Sequence, residues 1–260
     1  MPEMKKATMQ SIDCRIRSDR VAIDYRDTYR FFKSRAASGR DKVVQVLYQD
    51  DNPALAHARA QAELDVLLSS IEFDGRVVLD IGCGNGRLAD GVIDRIAYYF
   101  GVDLVAEFVD DAKRSLKARG VPDDRYGFLA APCSGRVIAE LARVRRFDVF
   151  LMSGVSIYLN DSDFADCLTS IARAMKSGGV LYLRDPIETF DTRLTLRNFA
   201  SSTLAADYSA IYRGAVDYLG MIGRNFDGTF DVGPLTPMYP DADLNGRLST
   251  KQHYIVIRKS

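Results

Sequence analysis

The sequence predicts an α/β fold, a mostly parallel sheet with helices on both faces. Three observations point there. Between residues 76 and 184 short apolar runs alternate with amphipathic stretches, and the runs are near-continuous, as strands covered on both faces require. The junction after the first run is glycine-rich, Gly82-Cys83-Gly84-Asn85-Gly86. Hydrophobic residues make up 47% of the 260, enough for a full core without disulfides, metal or a partner chain.

Taken in order, residues 19–37 read as a helix rich in Tyr, Phe and Arg, with Tyr25, Tyr29, Phe31 and Phe32 in it. Residues 43–48 form a short apolar run. Asn52 is placed to cap a helix, and Pro53 suits its first position because the missing N–H has no helical partner anyway. Leu64, Leu67, Leu68 and Ile71 then make one apolar stripe. Residues 1–72 therefore read as a helical cap, followed by a core at 73–186. Core strands are expected at 76–81, 98–102, 127–131, 148–153 and 180–184. Helices are expected at 86–96, 105–119 and 137–144, and from the caps Asn160 and Asp161 to Met175, where Gly178 and Gly179 follow as a stop. After Pro186 the rhythm breaks. Residues 188–220 read as helical or irregular, so 187–233 is assigned as a lid over the site. Residues 234–260 hold a terminal strand at 252–258, and the whole is read as one domain.

Charge narrows the function. Lys plus Arg equals Asp plus Glu at 35 each, whereas a protein that grips nucleic acid shows a basic surplus or stripe. Nucleic acid is thus not expected as a partner. Cys14, Cys83, Cys133 and Cys167 form no C-x-x-C pair, and with only His57 and His253 beside them a metal site is not expected. Neither an apolar leader nor an 18-residue apolar run is present. The expectation is a cytoplasmic enzyme with reduced thiols and no membrane partner.

The chemistry lies in Val77-Val78-Leu79-Asp80-Ile81-Gly82-Cys83-Gly84-Asn85-Gly86-Arg87-Leu88. It reads as a buried strand, an acid near its end, glycines at every second position and a helix start. Such glycines let the backbone turn tightly and approach a ligand. In open α/β sheets this edge is where ligands bind. A dinucleotide fingerprint, G-x-G-x-x-G, would put its third glycine at the position of Arg87. The pattern here is G-x-G-x-G, and with Leu79-Asp80-Ile81 before it the segment resembles the first motif of class I S-adenosylmethionine-dependent methyltransferases. Asp103 closes the second strand 23 residues after Asp80. There a carboxylate can accept from both ribose hydroxyls, helix capping being the plain alternative.

The resemblance covers residues 76–186 and the terminal strand. It implies a Rossmann-like sheet of seven strands, the last antiparallel, with S-adenosyl-L-methionine as cofactor. By the same resemblance Asp80, Gly82, Cys83, Gly84, Gly86, Asp103 and Leu104 surround that cofactor. Backbone near Ser153 would hold its amino group, and Tyr158 would lie near the transferred methyl. One departure is the end of the third strand, Phe128-Leu129-Ala130-Ala131-Pro132-Cys133, which lacks the acid often found near the adenine amino group. Adenine recognition then falls to backbone at Ala130 and Ala131. Cys133 reads as structural, since a cytosine-C5 nucleophile belongs after the fourth strand.

Acceptor choice falls to the segments outside this core. Their Tyr and Arg suit a polar small molecule, an anionic one included: a sugar derivative or natural-product intermediate, methylated on oxygen or nitrogen. Tyr208 and Tyr212 are placed on one face of a helix, at i and i+4, with Arg213 beside them to pair with a phosphate or carboxylate. An amphipathic lid helix with a solvated arginine is the plain alternative. Arg184 and Asp185, at the end of the fifth strand, face the site edge. His253 is the candidate base, with Asp185 and Tyr158 completing the catalytic set, and His57 reads as surface or packing. Tyr25, Tyr29 and Tyr48 are expected to close over the cofactor. The alternatives are an NAD-dependent oxidoreductase, a non-catalytic methyltransferase-like subunit, and an RNA methyltransferase, the last disfavoured by charge and by the lack of an N-P-P-Y signature.

Overall fold

The computed structural model describes residues 14–47, 52–201, 206–239, 244 and 249–260; the expectation for Tyr48 lies outside them. The chain starts with β1 (Arg15–Arg17) and three helices, α1 (Tyr25–Ala36), α2 (Lys42–Leu47) and α3 (Pro53–Ser70). α1 begins later than the aromatic run suggested because the Asp24 side chain caps it, accepting from the Arg26 N–H. The apolar run after residue 42 is helical. At α3 the Asn52 side chain accepts from the Leu55 N–H at 3.1 Å, and Pro53 opens the helix.

Strands and helices then alternate: β2 (Val77–Ile81), α4 (Arg87–Val92), β3 (Tyr98–Asp103), α5 (Ala106–Ala118), β4 (Tyr126–Ala130), α6 (Gly135–Val144), β5 (Val149–Ser153), α7 (Asp161–Ala174) and β6 (Val180–Glu188). The chain continues through β7 (Leu194–Ser201), β8 (Ala206–Tyr212), α8 (Ala215–Gly223), β9 (Phe230–Val232), β10 (Thr236–Pro237) and β11 (Thr250–Lys259). The main sheet runs β10-β11-β6-β5-β2-β3-β4, with β9 also on β11. β2 to β6 are parallel, and β11 lies antiparallel to β6, with His253 opposite Asp185 and Gln252 opposite Pro186. Strand order reverses at β2, flanked by β3 and β5. Helices on one face bury Leu79, Phe150 and Leu181 against Phe164, Ile171 and Met221. On the other face Val78, Val149 and Tyr182 pack against Leu67, Leu88 and Leu116.

Two expectations are corrected here. β6 does not stop before Pro186 but runs to Glu188. β5 ends its pairing at Arg184, so beyond it β6 has a sheet neighbour on one side only, where a proline without N–H is tolerated. Secondly, most of the expected helical lid is an antiparallel hairpin, β7 with β8, extended by β1 into a second sheet. Only α8 is helical. Leu194, Leu196, Tyr208, Ala210 and Tyr212 are buried there, and residues four apart share a face in a strand as they do in a helix. The Tyr208/Tyr212 spacing therefore could not tell the two apart.

Candidate active site

At the carboxyl ends of β2, β3, β5 and β6 lies a cavity of about 470 Å³. It sits at the point of strand-order reversal, where α/β sheets bind ligands. Two of its walls differ in construction.

The first wall is the glycine loop. Gly82 has φ +78°, and a Cβ there would fall 2.2 Å from Val155 Cγ2, so the turn after β2 is open to glycine alone. The Gly82 and Cys83 N–H groups donate to the Val102 carbonyl at 2.7 and 2.9 Å. Asp103, at the end of β3, accepts from the Gly84 N–H at 2.8 Å and from the Val105 N–H at 2.9 Å. Its carboxylate oxygens keep further lone pairs for a ligand. Asp80, buried in β2, receives the Tyr99 hydroxyl at 2.5 Å. Burial pushes Asp80 up to about 7, against the pull of the Tyr99 hydrogen bond and of Arg87. Asp80, Gly82, Cys83, Gly84, Asp103 and Leu104 all line the cavity. Gly86 does not: a Cβ there would meet Ala112 Cβ at 2.8 Å, so this glycine brings α4 onto α5. Ala130 and Ala131 also stand off the cavity, and the Ala131 N–H is taken by the Asp103 carbonyl at 2.9 Å. Pro132, Cys133 and Ser134 line it in their place. Burial holds the Cys133 thiol well above its ordinary pKa, which makes it a poor nucleophile.

The second wall is aromatic. Tyr158 follows β5 in a short turn and bonds Tyr208 hydroxyl to hydroxyl at 3.0 Å; Tyr208 bonds Tyr212 at 2.9 Å. Burial keeps the Tyr208 phenol protonated, its pKa well above the usual value. Phe32 of α1 meets Tyr158 edge-to-face at 4.9 Å. Tyr25 also lines the cavity and donates to Asp163, whereas Tyr29 does not reach it.

Arg213 is not a ligand-facing cation. Buried at 1% exposure, it donates to the carbonyls of Ser156 and Leu159, each at 2.8 Å, and to Asp161 at 2.7 Å. It thereby staples the turn that carries Tyr158. His253 and Asp185 are corrected by strand alternation. Arg184 and Pro186 of β6 and Thr250 and Gln252 of β11 line the cavity, so Asp185, between the first two, and its cross-strand partner His253 face away. Asp185 is buried under α8, accepts from Tyr218 at 2.8 Å, and is pushed up to about 6 by that burial. His253 Nδ1 lies 2.9 Å from the Lys251 carbonyl.

Sequence reasoning missed Glu63. Fully buried on α3, it accepts from Ser153 Oγ, pairs with Arg87 at 2.6 Å and lies 3.8 Å from Arg184. Burial alone would raise its carboxyl, but Arg184 and Arg87 outweigh that and hold it below the ordinary range. Ser153 thus offers a side-chain bond to Glu63 as well as backbone at the cavity. Glu63 belongs to no motif; its one signal was its place on the apolar side of that helix, near Leu67.

Residues 78–179 match the family model described as a methyltransferase domain. This segment resembles that domain. It runs from β2 to the turn before β6 and includes the whole glycine-loop wall, in the class I fold. The ubiquinone biosynthesis O-methyltransferase of Rhizobium rhizogenes is 31% identical over 115 residues, 44% of this chain and 43% of that enzyme. The chain thus spans less than half the length of that relative. Phosphoethanolamine N-methyltransferase 1 of Haemonchus contortus, solved with phosphoethanolamine and S-adenosylhomocysteine, superimposes with a TM-score of 0.63 at 16% identity, over 90% of this chain and 49% of that one. Magnesium protoporphyrin IX methyltransferase of Synechocystis, with bound S-adenosylhomocysteine, gives 0.61 at 15% identity, over 90% of this chain and 98% of that one. The shared fold extends beyond the matched segment, across 90% of this chain in both superpositions.

Proposed function

We propose that the chain transfers the methyl group of S-adenosylmethionine to an oxygen or nitrogen of a polar small molecule, such as a sugar derivative or natural-product intermediate. The observation that carries this is the single cavity joining the glycine loop and Asp103 to the tyrosine wall. The residues present fit the cofactor. Asp103 would take the ribose hydroxyls, Leu104 and Pro132–Ser134 would flank the adenine, and Asp80 and Ser153 would face the amino-acid end. When bound, the cofactor supplies an electrophilic methyl on a sulfonium.

The chain's own part is alignment and exclusion of water. α1 and α2 close the cavity with Phe32, Val46 and Leu47, and the tyrosine hydroxyls are placed to hold an acceptor by hydrogen bonds. Because burial keeps the Tyr208 phenol protonated, it positions the acceptor and does not remove its proton. Both O- and N-methyltransferases occur among the similar proteins, which supports the reaction class and leaves the acceptor atom open. An NAD-dependent reaction is disfavoured by Arg87, whose side chain is engaged by Glu63 where a dinucleotide loop needs its third glycine.

Calorimetric titration with S-adenosylhomocysteine, and with NAD in parallel, tests the reading. Binding of the former in the micromolar range, about −8 kcal/mol, with none of the latter, is expected. Binding of NAD alone would reverse the assignment.

A further inference from the structure

Among the described residues, Arg184 is a buried cation with an incomplete set of partners. It is 6% exposed and lines the cavity. Its Nη2 donates to the Tyr239 hydroxyl at a long 3.3 Å; among the described residues its nearest carboxylate is Glu63 at 3.8 Å and its Nε has no hydrogen-bond partner. Glu63 is more tightly engaged elsewhere, by Arg87 at 2.6 Å and by the Ser153 hydroxyl. Two guanidiniums therefore share one carboxylate, and the looser share falls to Arg184. A buried N–H left without an acceptor keeps its desolvation cost unrepaid, and a buried charge is held best by a close, well-aligned partner. A second anion would complete the set.

The surroundings favour an anion on the cavity side. Gly154 leaves room for the guanidinium: a Cβ there would lie 3.2 Å from Arg184 Nη1. The Gly154 N–H donates to the Arg184 carbonyl at 2.6 Å, fixing the end of β6 against the exit of β5. On the same sheet face Gln252, opposite Pro186, brings a carboxamide whose Oε1 is also buried with no partner among the described residues. An amide can turn either end to a ligand.

We propose that Arg184, with Gln252 beside it, is the anchor for a carboxylate or phosphate carried by the methyl acceptor, and that Glu63 is the positioning residue that holds Arg184 in place. This rests on the methyl-transfer reading and narrows its substrate class to anionic acceptors. It moves anion recognition from Arg213, whose guanidinium is committed to Asp161 and two carbonyls, to the opposite side of the tyrosine wall. The acceptor would be held by its anionic group at β6 and present its reacting atom toward Tyr158. The same chemistry has one other source, the carboxylate of the cofactor itself, and the experiment separates the two.

The wild-type protein and Arg184→Gln are titrated with S-adenosylhomocysteine and with 5′-methylthioadenosine, which lacks the amino-acid carboxylate. Each S-adenosylhomocysteine complex is then titrated with inorganic phosphate and with acetate. Expected is millimolar binding of phosphate or acetate to the wild-type complex, weakened at least about tenfold in Arg184→Gln, with S-adenosylhomocysteine affinity within about twofold. Arg184→Lys keeps the charge but loses the planar fork, and is expected to bind acetate less tightly than wild type while folding normally; it serves if the glutamine variant fails to fold. Glu63→Gln, which frees Arg184 from its place, is expected to weaken phosphate and acetate binding without abolishing S-adenosylhomocysteine binding. Two results overturn the proposal. One is a loss of S-adenosylhomocysteine affinity in Arg184→Gln with 5′-methylthioadenosine affinity unchanged, which would assign the arginine to the cofactor. The other is phosphate and acetate binding that is absent from, or equal in, both proteins. Failure of the wild type to bind S-adenosylhomocysteine would instead remove the methyl-transfer reading.

Discussion

The glycine-loop wall and the tyrosine wall face the same cavity but are built by opposite means. The first is local: Asp80 through Asp103 lie on adjacent parallel strands, and the bonds that fix the loop are backbone N–H groups donating to Val102 and Asp103. The second is assembled from distant segments, Phe32 of α1, Tyr158 after β5, and Tyr208 and Tyr212 of β8. Side chains hold it, with Arg213 gripping the carbonyls of Ser156 and Leu159. Backbone bonds within one βαβ unit tolerate many side-chain changes, whereas a wall made of side chains changes with each of them. Under the proposed function, this difference makes cofactor binding and acceptor choice physically separable.

The hardest test of that separation is Arg213→Met. It leaves Asp161 without one of its guanidiniums and two buried carbonyls without donors. We expect a loss of about 3–5 kcal/mol in a urea titration, while S-adenosylhomocysteine affinity of the folded protein stays within about twofold. A large loss of cofactor affinity would show that the two walls are one unit. Next in size is Gly82→Ala, placed where the walls touch. The new methyl would collide with Val155 at a backbone angle unfavourable to any L side chain. The expected cost is about 1–3 kcal/mol of stability, accompanied by a drop in S-adenosylhomocysteine affinity read by calorimetry. A stability loss with intact affinity would place the strain on the acceptor side only.

This division also explains what was legible in the sequence. Asp80-Ile81-Gly82-Cys83-Gly84 and Asp103 could be read directly because a local motif encodes a local backbone shape. Strand alternation in β2 to β6 was legible for the same reason. The hairpin of β7 and β8 was not, since Tyr208 and Tyr212 four apart fit either period, and only pairing with distant β1 and packing on Tyr158 fixed the strand. His253 and Asp185 sit in the expected strands, but one residue of register decides which face a side chain takes, and both face away. Glu63 and Arg184 meet across 121 positions of chain, a contact that no spacing rule announces.

A smaller effect sharpens the cofactor side. Asp103→Asn keeps the shape but puts an amide where two N–H groups and the ribose need acceptors. S-adenosylhomocysteine should weaken by about 1–3 kcal/mol, the cost of an unpaired buried polar group, with little change in phosphate binding at Arg184. Loss of both would mean that the Asp103 contacts shape the entire cavity. Unchanged affinity would remove Asp103 from the cofactor site.

The smallest expected effect is a pH slope confined to the same wall. Burial holds the Asp80 pKa up at about 7, above its unfolded value. The folded chain therefore binds this proton more tightly than the unfolded chain does. That contribution to stability is fully present below the unfolded pKa and is lost as pH rises through about 7. A cationic ligand reverses the preference, because the ammonium of the cofactor's amino-acid end favours the ionised carboxylate. Cofactor affinity should then rise between pH 6 and 8, by up to about tenfold per proton released and per pH unit below the pKa, while stability of the empty protein falls. Asp80→Asn should flatten both curves. Opposite slopes in wild type and none in the variant would place Asp80 at the cationic end of the ligand. Parallel slopes would make it a packing acid of β2, and would leave the glycine loop and Asp103 to bind the cofactor without it.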